Sequence, residues 1–123
     1  MAFLTDRKRA VGLGSSKTGT EHFWNMTVSS VALLILVPLF IFTVGPAIGA
    51  SHDEVVAHFA RPFPAIIAAL TFVVGFQHFK NGAQVMIEDY VHGLGRKIAI
   101  IAVNCISYAA MAAGLFALVR LAL

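Results

Sequence analysis

"GFQHFKNGAQVMIEDYVHGLGRK" occupies residues 75–97 and decides how the chain is read. It begins inside a run apolar enough to cross a bilayer and ends in a basic turn. His78 and Lys80 fall where hydrocarbon is expected, and the pair Asp89-Tyr90 follows near the end of the run. An ionisable side chain inside a span costs roughly 2.5–3.5 kcal/mol on insertion scales and normally faces the bundle interior. The helix that carries this imidazole is therefore under a constraint that a plain lipid-facing helix is not.

The surrounding chain sets the scale. Of its 123 residues 59% are hydrophobic and 12% charged, against about 25% charged in a soluble domain. A crossing needs roughly 20 apolar residues at about 1.5 Å rise each. Three segments qualify, at about 26–48, 63–87 and 98–119. Open strands would leave backbone groups unpaired in lipid, and three strands cannot close a barrel. The prediction is an all-α membrane protein with three transmembrane helices, forming a single membrane-anchor domain over 1–123 with a lead-in at 1–25.

Charge sets the orientation. Arg7, Lys8, Arg9 and Lys17 precede the first span, and Arg96 and Lys97 lie between the second and third. Only Arg61, beside Asp53 and Glu54, lies between the first and second. The positive-inside rule then puts the N-terminus and the 88–97 loop in the cytoplasm and the C-terminus on the opposite side. The net charge of +3 is explained by these flanks and calls for no nucleic-acid partner. Residues 1–20 read as a mobile lead-in and not as a cleavable signal, because "GLGSSKTGT" (12–20) separates the basic residues from the first span. "TEHFW" (20–24) reads as an interfacial anchor with Trp24 at headgroup depth. Cys105 is the single cysteine, which excludes a disulfide, a zinc cluster and an iron–sulfur ligand set within the chain. Pro38 predicts a kink or a compensating neighbour in the first span, and Pro46 suits its end. In the third span, Ala109/Ala113 and Ala110/Gly114 offer two lines for close helix packing, with Asn104, Ser107 and Tyr108 as interhelical glue.

Helical geometry organises the opening stretch. His78 lies roughly 15 Å from the end of its span, close to the bilayer midplane. Eleven steps of about 100° return Asp89 to within roughly 20° of His78, so imidazole and carboxylate share one face. Gly82, one turn after His78, bares the backbone there and leaves room for something flat. Three readings of His78 stand together: a hydrogen-bonded bundle histidine, a proton relay, or an axial haem ligand. A two-histidine haem would need its second histidine from another polypeptide. His22 and His92 lie at the cytoplasmic edge, and His52 and His58 lie in the opposite loop. Lys80, about 200° round from His78, either snorkels toward the cytoplasmic interface or meets an anionic cofactor group such as a haem propionate. Asp89 and Tyr90 are either interfacial residues or a quinone site, in which the phenol bonds a carbonyl oxygen and the carboxylate organises water.

The combination His78, Gly82, Gln84, Val85, Asp89 and Tyr90, with "EDYVHG" (88–93) and "GSSKTGTEHFW" (14–24), resembles the small hydrophobic membrane-anchor subunit of succinate dehydrogenase. This is the cytochrome b-type small subunit of respiratory complex II, in its alphaproteobacterial and mitochondrial-like branch. The resemblance implies that His78 is one axial ligand of a b-type haem (haem b) shared with a second membrane-anchor subunit. It implies that Tyr90 hydrogen-bonds ubiquinone with Asp89 beside it; it assigns no propionate ligand, and Lys80 stays a candidate contact from its position alone. It also implies an iron–sulfur subunit and a flavoprotein subunit as partners, and a bacterial inner membrane as the location. The chain alone would not be catalytic. One departure stands out. Family members often carry arginine just after the "HFW"-like anchor, whereas this chain reads Asn25-Met26-Thr27, so Lys80, His22 or a partner residue would have to meet the propionates. The alternatives are the anchor of a quinol:fumarate reductase, a cofactor-free structural or assembly membrane protein and, more distantly, a small transporter subunit.

Overall fold

The computed structural model describes residues 4–12 and 19–123. Most of the "GLGSSKTGT" separator, Lys17 included, lies outside the described residues. Among those described there is no strand. The chain runs α1 (Asp6–Val11), α2 (Gly19–Val44), a 3-10 turn (Gly45–Ala47), α3 (His52–Phe59), α4 (Pro62–Tyr90) and α5 (Gly93–Ala122). Three helices are long and apolar enough to cross a membrane: α2 with its 3-10 extension, α4 and α5.

Each long helix outruns the apolar segment that announces it. Helix α2 begins at Gly19, so "TEHFW" is its first turns and Trp24 stands exposed on it. A polar turn carries no hydropathy signal, yet it extends a helix already nucleated in the span. Likewise α4 runs on to Tyr90 and α5 starts at Gly93. The expected 88–97 loop therefore shrinks to Val91-His92, and Arg96 and Lys97 sit in the first turns of α5. Gly93 takes φ 66°, a conformation open to glycine, which lets the chain reverse within so short a link. Pro38 sits inside α2 without ending it and lies on the exposed side. Pro46 falls in the closing 3-10 turn, as its position suggests.

Helix α4 is the centre, packed by α2 on one side and α5 on the other. Among the buried and half-buried residues of α2, His22, Met26, Ser29, Leu33, Leu36, Phe40 and Thr43 follow the three-four spacing of one packed face, with Thr27, Ala32, Leu39 and Val44 flanking it. Contacts between Ser29 and His78 and between Met26 and Gly82 fix α2 antiparallel to α4. Contacts between Lys80 and Tyr108 and between Phe72 and Gly114 fix α5 antiparallel in the same way. Of the two small-residue lines in α5, the one through Gly114 faces α4: a Cβ built there would meet the Phe72 ring at 3.5 Å. Ala109 and Ala113 are exposed.

Helix α3 lies between the first and second spans and closes the far end of the bundle. Its Phe59 packs with Ala68 of α4 and Leu118 of α5, with Phe40 and Val44 of α2 against them. His58 Nε2–H donates to the Thr43 carbonyl at 2.7 Å, and Arg61 donates to His58 Nδ1 at 2.7 Å, tying α3 to the end of α2. Ser51 opens the helix: its backbone N–H and its hydroxyl donate to Glu54 Oε2 at 2.8 and 2.7 Å. Those two bonds, the hydroxyl first, hold the Glu54 carboxyl below its ordinary value.

Candidate functional site

Polar side chains in the spans are mostly silenced by their own helix. Thr27, Ser30, Thr43, Thr71 and Asn104 each donate to the carbonyl four residues back, at 2.6 to 2.9 Å. This is the usual way for such groups to be satisfied where no water is available. Among the described residues Asn104 bonds its own helix and no other. Ser107 is enclosed with its hydroxyl unpartnered among the described residues, so it supplies no hydrogen-bonded glue either. Tyr108 does bond across helices.

His78 is different. Its Nδ1 lies 2.9 Å from Ser29 Oγ on α2, and Ser29 is 8% exposed. The other ring nitrogen, Nε2, has no hydrogen-bond partner among the described residues and is not one of the enclosed polar atoms. One nitrogen is thus held by protein and the other remains open, which is what a lone-pair ligand needs.

One turn before His78 the surface of α4 is open and mostly apolar. Gly75, one turn before the histidine, has nothing within 4 Å of where a Cβ would stand. It belongs to a groove of about 380 Å³ lined by Thr71, Phe72, Gly75, Phe76 and Phe79. Gly82, expected to clear space on that face, instead lets α2 come close: a Cβ there would lie 3.8 Å from the Met26 methyl. The open glycine next to His78 is Gly75, and the one closed by packing is Gly82.

Lys80 leaves α4 on the α5 side. Its ammonium donates to the Tyr108 hydroxyl at 3.3 Å and lies 5.3 Å from the centre of that ring, within cation–π range. Tyr108 lies roughly 22 Å along α5 from its start. His78 and Lys80 are not brought together. They occupy opposite sides of α4, one toward each neighbouring helix.

Asp89 and Tyr90 are the last residues of α4. Both are exposed, Tyr90 at 80%. Because α4 is continuous from His78 to Asp89, the two share a face about three turns apart, a separation that lets them serve two ligands and not one. Gln84 Nε2–H bonds Glu88 at 2.9 Å, leaving Asp89 outside that pair. His22 is a residue that the sequence places only at the edge. It stands seven residues before Ser29 on the packed face of α2, with Nε2 enclosed and unpartnered among the described residues. No cluster of three or more metal-ligating side chains occurs among the described residues.

Residues 2–120 match the family of succinate dehydrogenase/fumarate reductase transmembrane subunits. The chain is 50% identical over its full length, and over 95% of the relative, to the succinate dehydrogenase hydrophobic membrane anchor subunit of Paracoccus denitrificans. It is 30% identical to the succinate dehydrogenase membrane anchor subunit of Reclinomonas americana, over 70% of this chain and 74% of that one. It is 29% identical to the hydrophobic membrane anchor subunit of Rickettsia conorii, over 80% and 81%. No solved structure gives a significant match. A family match across nearly the whole chain, joined to a half-identical relative of the same length, settles the assignment: the chain belongs to the succinate dehydrogenase/fumarate reductase transmembrane subunits, among the membrane anchors of succinate dehydrogenase.

Proposed function

We propose that this chain supplies one axial ligand, His78, to a b-type haem shared with a second membrane-anchor subunit, and that Tyr90 and Asp89 belong to the site where ubiquinone is reduced. The observation that carries the proposal is the state of His78. It lies deep in a span, with Nδ1 engaged by Ser29 and Nε2 without a hydrogen-bond partner among the described residues. A packing histidine would be expected to spend both nitrogens. The bare backbone at Gly75 and the aromatic groove beside it give a flat apolar ligand a surface to lie on, and a partner helix across that groove would complete the enclosure.

Bound there, haem would supply one-electron transfer. The residues of the chain do the rest. The His78 Nε2 lone pair would hold the iron, and the α2–α4 packing would exclude water around it. At the end of α4 the Tyr90 hydroxyl would donate to a quinone carbonyl and orient the ring. Asp89, three turns from His78, would hold water or a proton at the edge of the same site. Lys80 would be a propionate contact from the α5 side, since its bond to Tyr108 uses one of the three ammonium hydrogens.

The same reading puts the N-terminus and the Arg96-Lys97 turn in the cytoplasm of a bacterial inner membrane, where the iron–sulfur and flavoprotein subunits would dock and succinate would be oxidised. The test is co-purification of the complex from native membrane, followed by a reduced-minus-oxidised spectrum and quinone-reduction kinetics. A b-type signal lost in His78→Ala and quinone reduction impaired by Tyr90→Phe are the expected results. A wild-type complex without b-type absorption would sink the haem reading, and kinetics indifferent to Tyr90→Phe would sink the quinone reading.

A further inference from the structure

We infer that Ser29 is a positioning residue for His78, fixing it as the Nδ1–H tautomer so that Nε2 is the nitrogen left with a lone pair for iron. The inference rests on the reading of His78 as a haem ligand and deepens it.

The argument is a count of hydrogens. A hydroxyl has one hydrogen and two lone pairs. Ser29 Oγ lies 2.7 Å from the Asn25 carbonyl oxygen, 3.0 Å from the Met26 carbonyl oxygen and 2.9 Å from His78 Nδ1. Both carbonyls are acceptors only. Oxygens this close are bound when a hydrogen lies between them and repel when none does, so the Ser29 hydrogen belongs to the carbonyl side. A hydroxyl lone pair then faces Nδ1, and the hydrogen between them must come from the imidazole. A neutral imidazole has one N–H. With that hydrogen on Nδ1, Nε2 is bare. The opposite arrangement, with the hydroxyl hydrogen turned to Nδ1, would set Oγ against two carbonyl oxygens and put the imidazole hydrogen on Nε2, where nothing among the described residues accepts it.

The setting strengthens the arrangement. Ser29 is itself buried, in a seam lined by Val28, Ala32, Val73 and Val74 with Asn25 and Gln77 beside them, and a hydrogen bond at a buried hydroxyl is worth more than in solution. The neighbouring Ser30 is exposed and spends its hydrogen on Met26, so of the two adjacent serines only Ser29 reaches the histidine. A hydroxyl is a weaker acceptor than the carboxylate or carbonyl that commonly backs a ligating histidine. It fixes the ring orientation while drawing only part of the Nδ1–H charge. Removing it would make the imidazole a poorer electron donor, and the ferric state would lose more than the ferrous one.

The test uses the intact complex carrying Ser29→Ala or Ser29→Thr, with Ser30→Ala as a neighbour control. Three signals are read: haem content per flavin, the redox titration of the b-type absorbance, and the low-temperature electron paramagnetic resonance of the ferric form. The expected result for Ser29→Ala is haem retained, a midpoint shifted to more positive potential and altered ferric resonance positions. Ser29→Thr should restore both, since threonine also back-bonds its helix and keeps the acceptor. Ser30→Ala should resemble the wild type. If Ser29→Ala fails to assemble, Ser29→Cys keeps the size with a weaker acceptor and should shift the potential in the same direction. Haem retained with unchanged potential and resonance in the alanine variant, or in the cysteine variant if that one is needed, overturns the inference while leaving His78 as a ligand. Absence of b-type haem from the wild-type complex overturns the ligand reading itself.

Discussion

The two sides of α4 treat a polar group in opposite ways. Toward α2, His78 meets a single buried hydroxyl and keeps one nitrogen unspent. Toward α5, Lys80 meets the hydroxyl and ring of Tyr108, and further along Gly114 packs on Phe72 and Leu118 on Ala68. The side groups lie two residues apart in sequence and so at nearly the same depth, yet about 200° of helical turn sends them to different neighbours. Among the described residues the first contact leaves His78 Nε2 without a partner, whereas the second joins an ammonium to both the hydroxyl and the ring of one tyrosine. Depth alone therefore does not mark a ligand. What distinguishes His78 is that the protein satisfies it only in part.

The largest expected effect lies on the α2 side. His78→Ala should abolish the b-type spectrum of the complex, whereas Lys80→Met should leave it in place, measured as reduced-minus-oxidised absorbance per flavin. If Lys80→Met also removed the signal, the two sides would not be separable in this way. Next comes packing on the α5 side. Gly114→Ala places a methyl at ordinary contact with Phe72 and should be nearly neutral. Gly114→Leu would overfill the same contact and destabilise the α4–α5 pair by about 1–3 kcal/mol, read as a lower thermal midpoint of the detergent-solubilised complex with haem lines unmoved. Smaller still is the Lys80–Tyr108 contact. Interhelical hydrogen bonds in membranes average about 0.6 kcal/mol, so Tyr108→Phe should lower that midpoint slightly, and less again once Lys80 is already methionine. Additive losses in the double variant would show that the lysine and the phenol act independently.

What the amino-acid sequence makes legible depends on the kind of signal each feature leaves. The three spans are readable because apolar runs of that length have few other uses. The common face of His78 and Asp89 is readable because α4 is one uninterrupted helix and its period carries over eleven residues. The partners of each polar residue are not readable. Whether His78 finds Ser29, or Lys80 finds Tyr108, depends on the antiparallel register of separate helices, and no residue of the stretch encodes that register by itself. Gly82 shows the limit: its missing side chain is evident in the sequence, but not that Met26 comes against it while Gly75 stays open. Helix α3 escapes a hydropathy reading because eight residues are too few to give a signal, although Ser51 with Glu54 three positions later is a recognisable helix start.

That start gives the smallest prediction, and it tests whether the two sides of α4 are local. Glu54 lies in α3, outside both contacts. Its carboxyl is held below the ordinary value of 4.5 by hydrogen bonds from Ser51, the hydroxyl first and the backbone N–H second. A carboxylate whose folded pKa is depressed binds its proton less readily in the folded state than in the unfolded one. Its contribution to stability is complete above the unfolded value and disappears as pH falls below that value and through the lowered folded one. Glu54→Gln should therefore cost a little thermal stability at neutral pH, and the wild-type and variant midpoints should converge as the pH is taken below 4.5. Because the carboxyl is fully exposed, solvent screens it and the difference will be slight. The haem lines should not move at any pH in this series. A shift in them would mean that the far end of the bundle is coupled to His78, and that the α2 contact is tuned from beyond the helix that carries it.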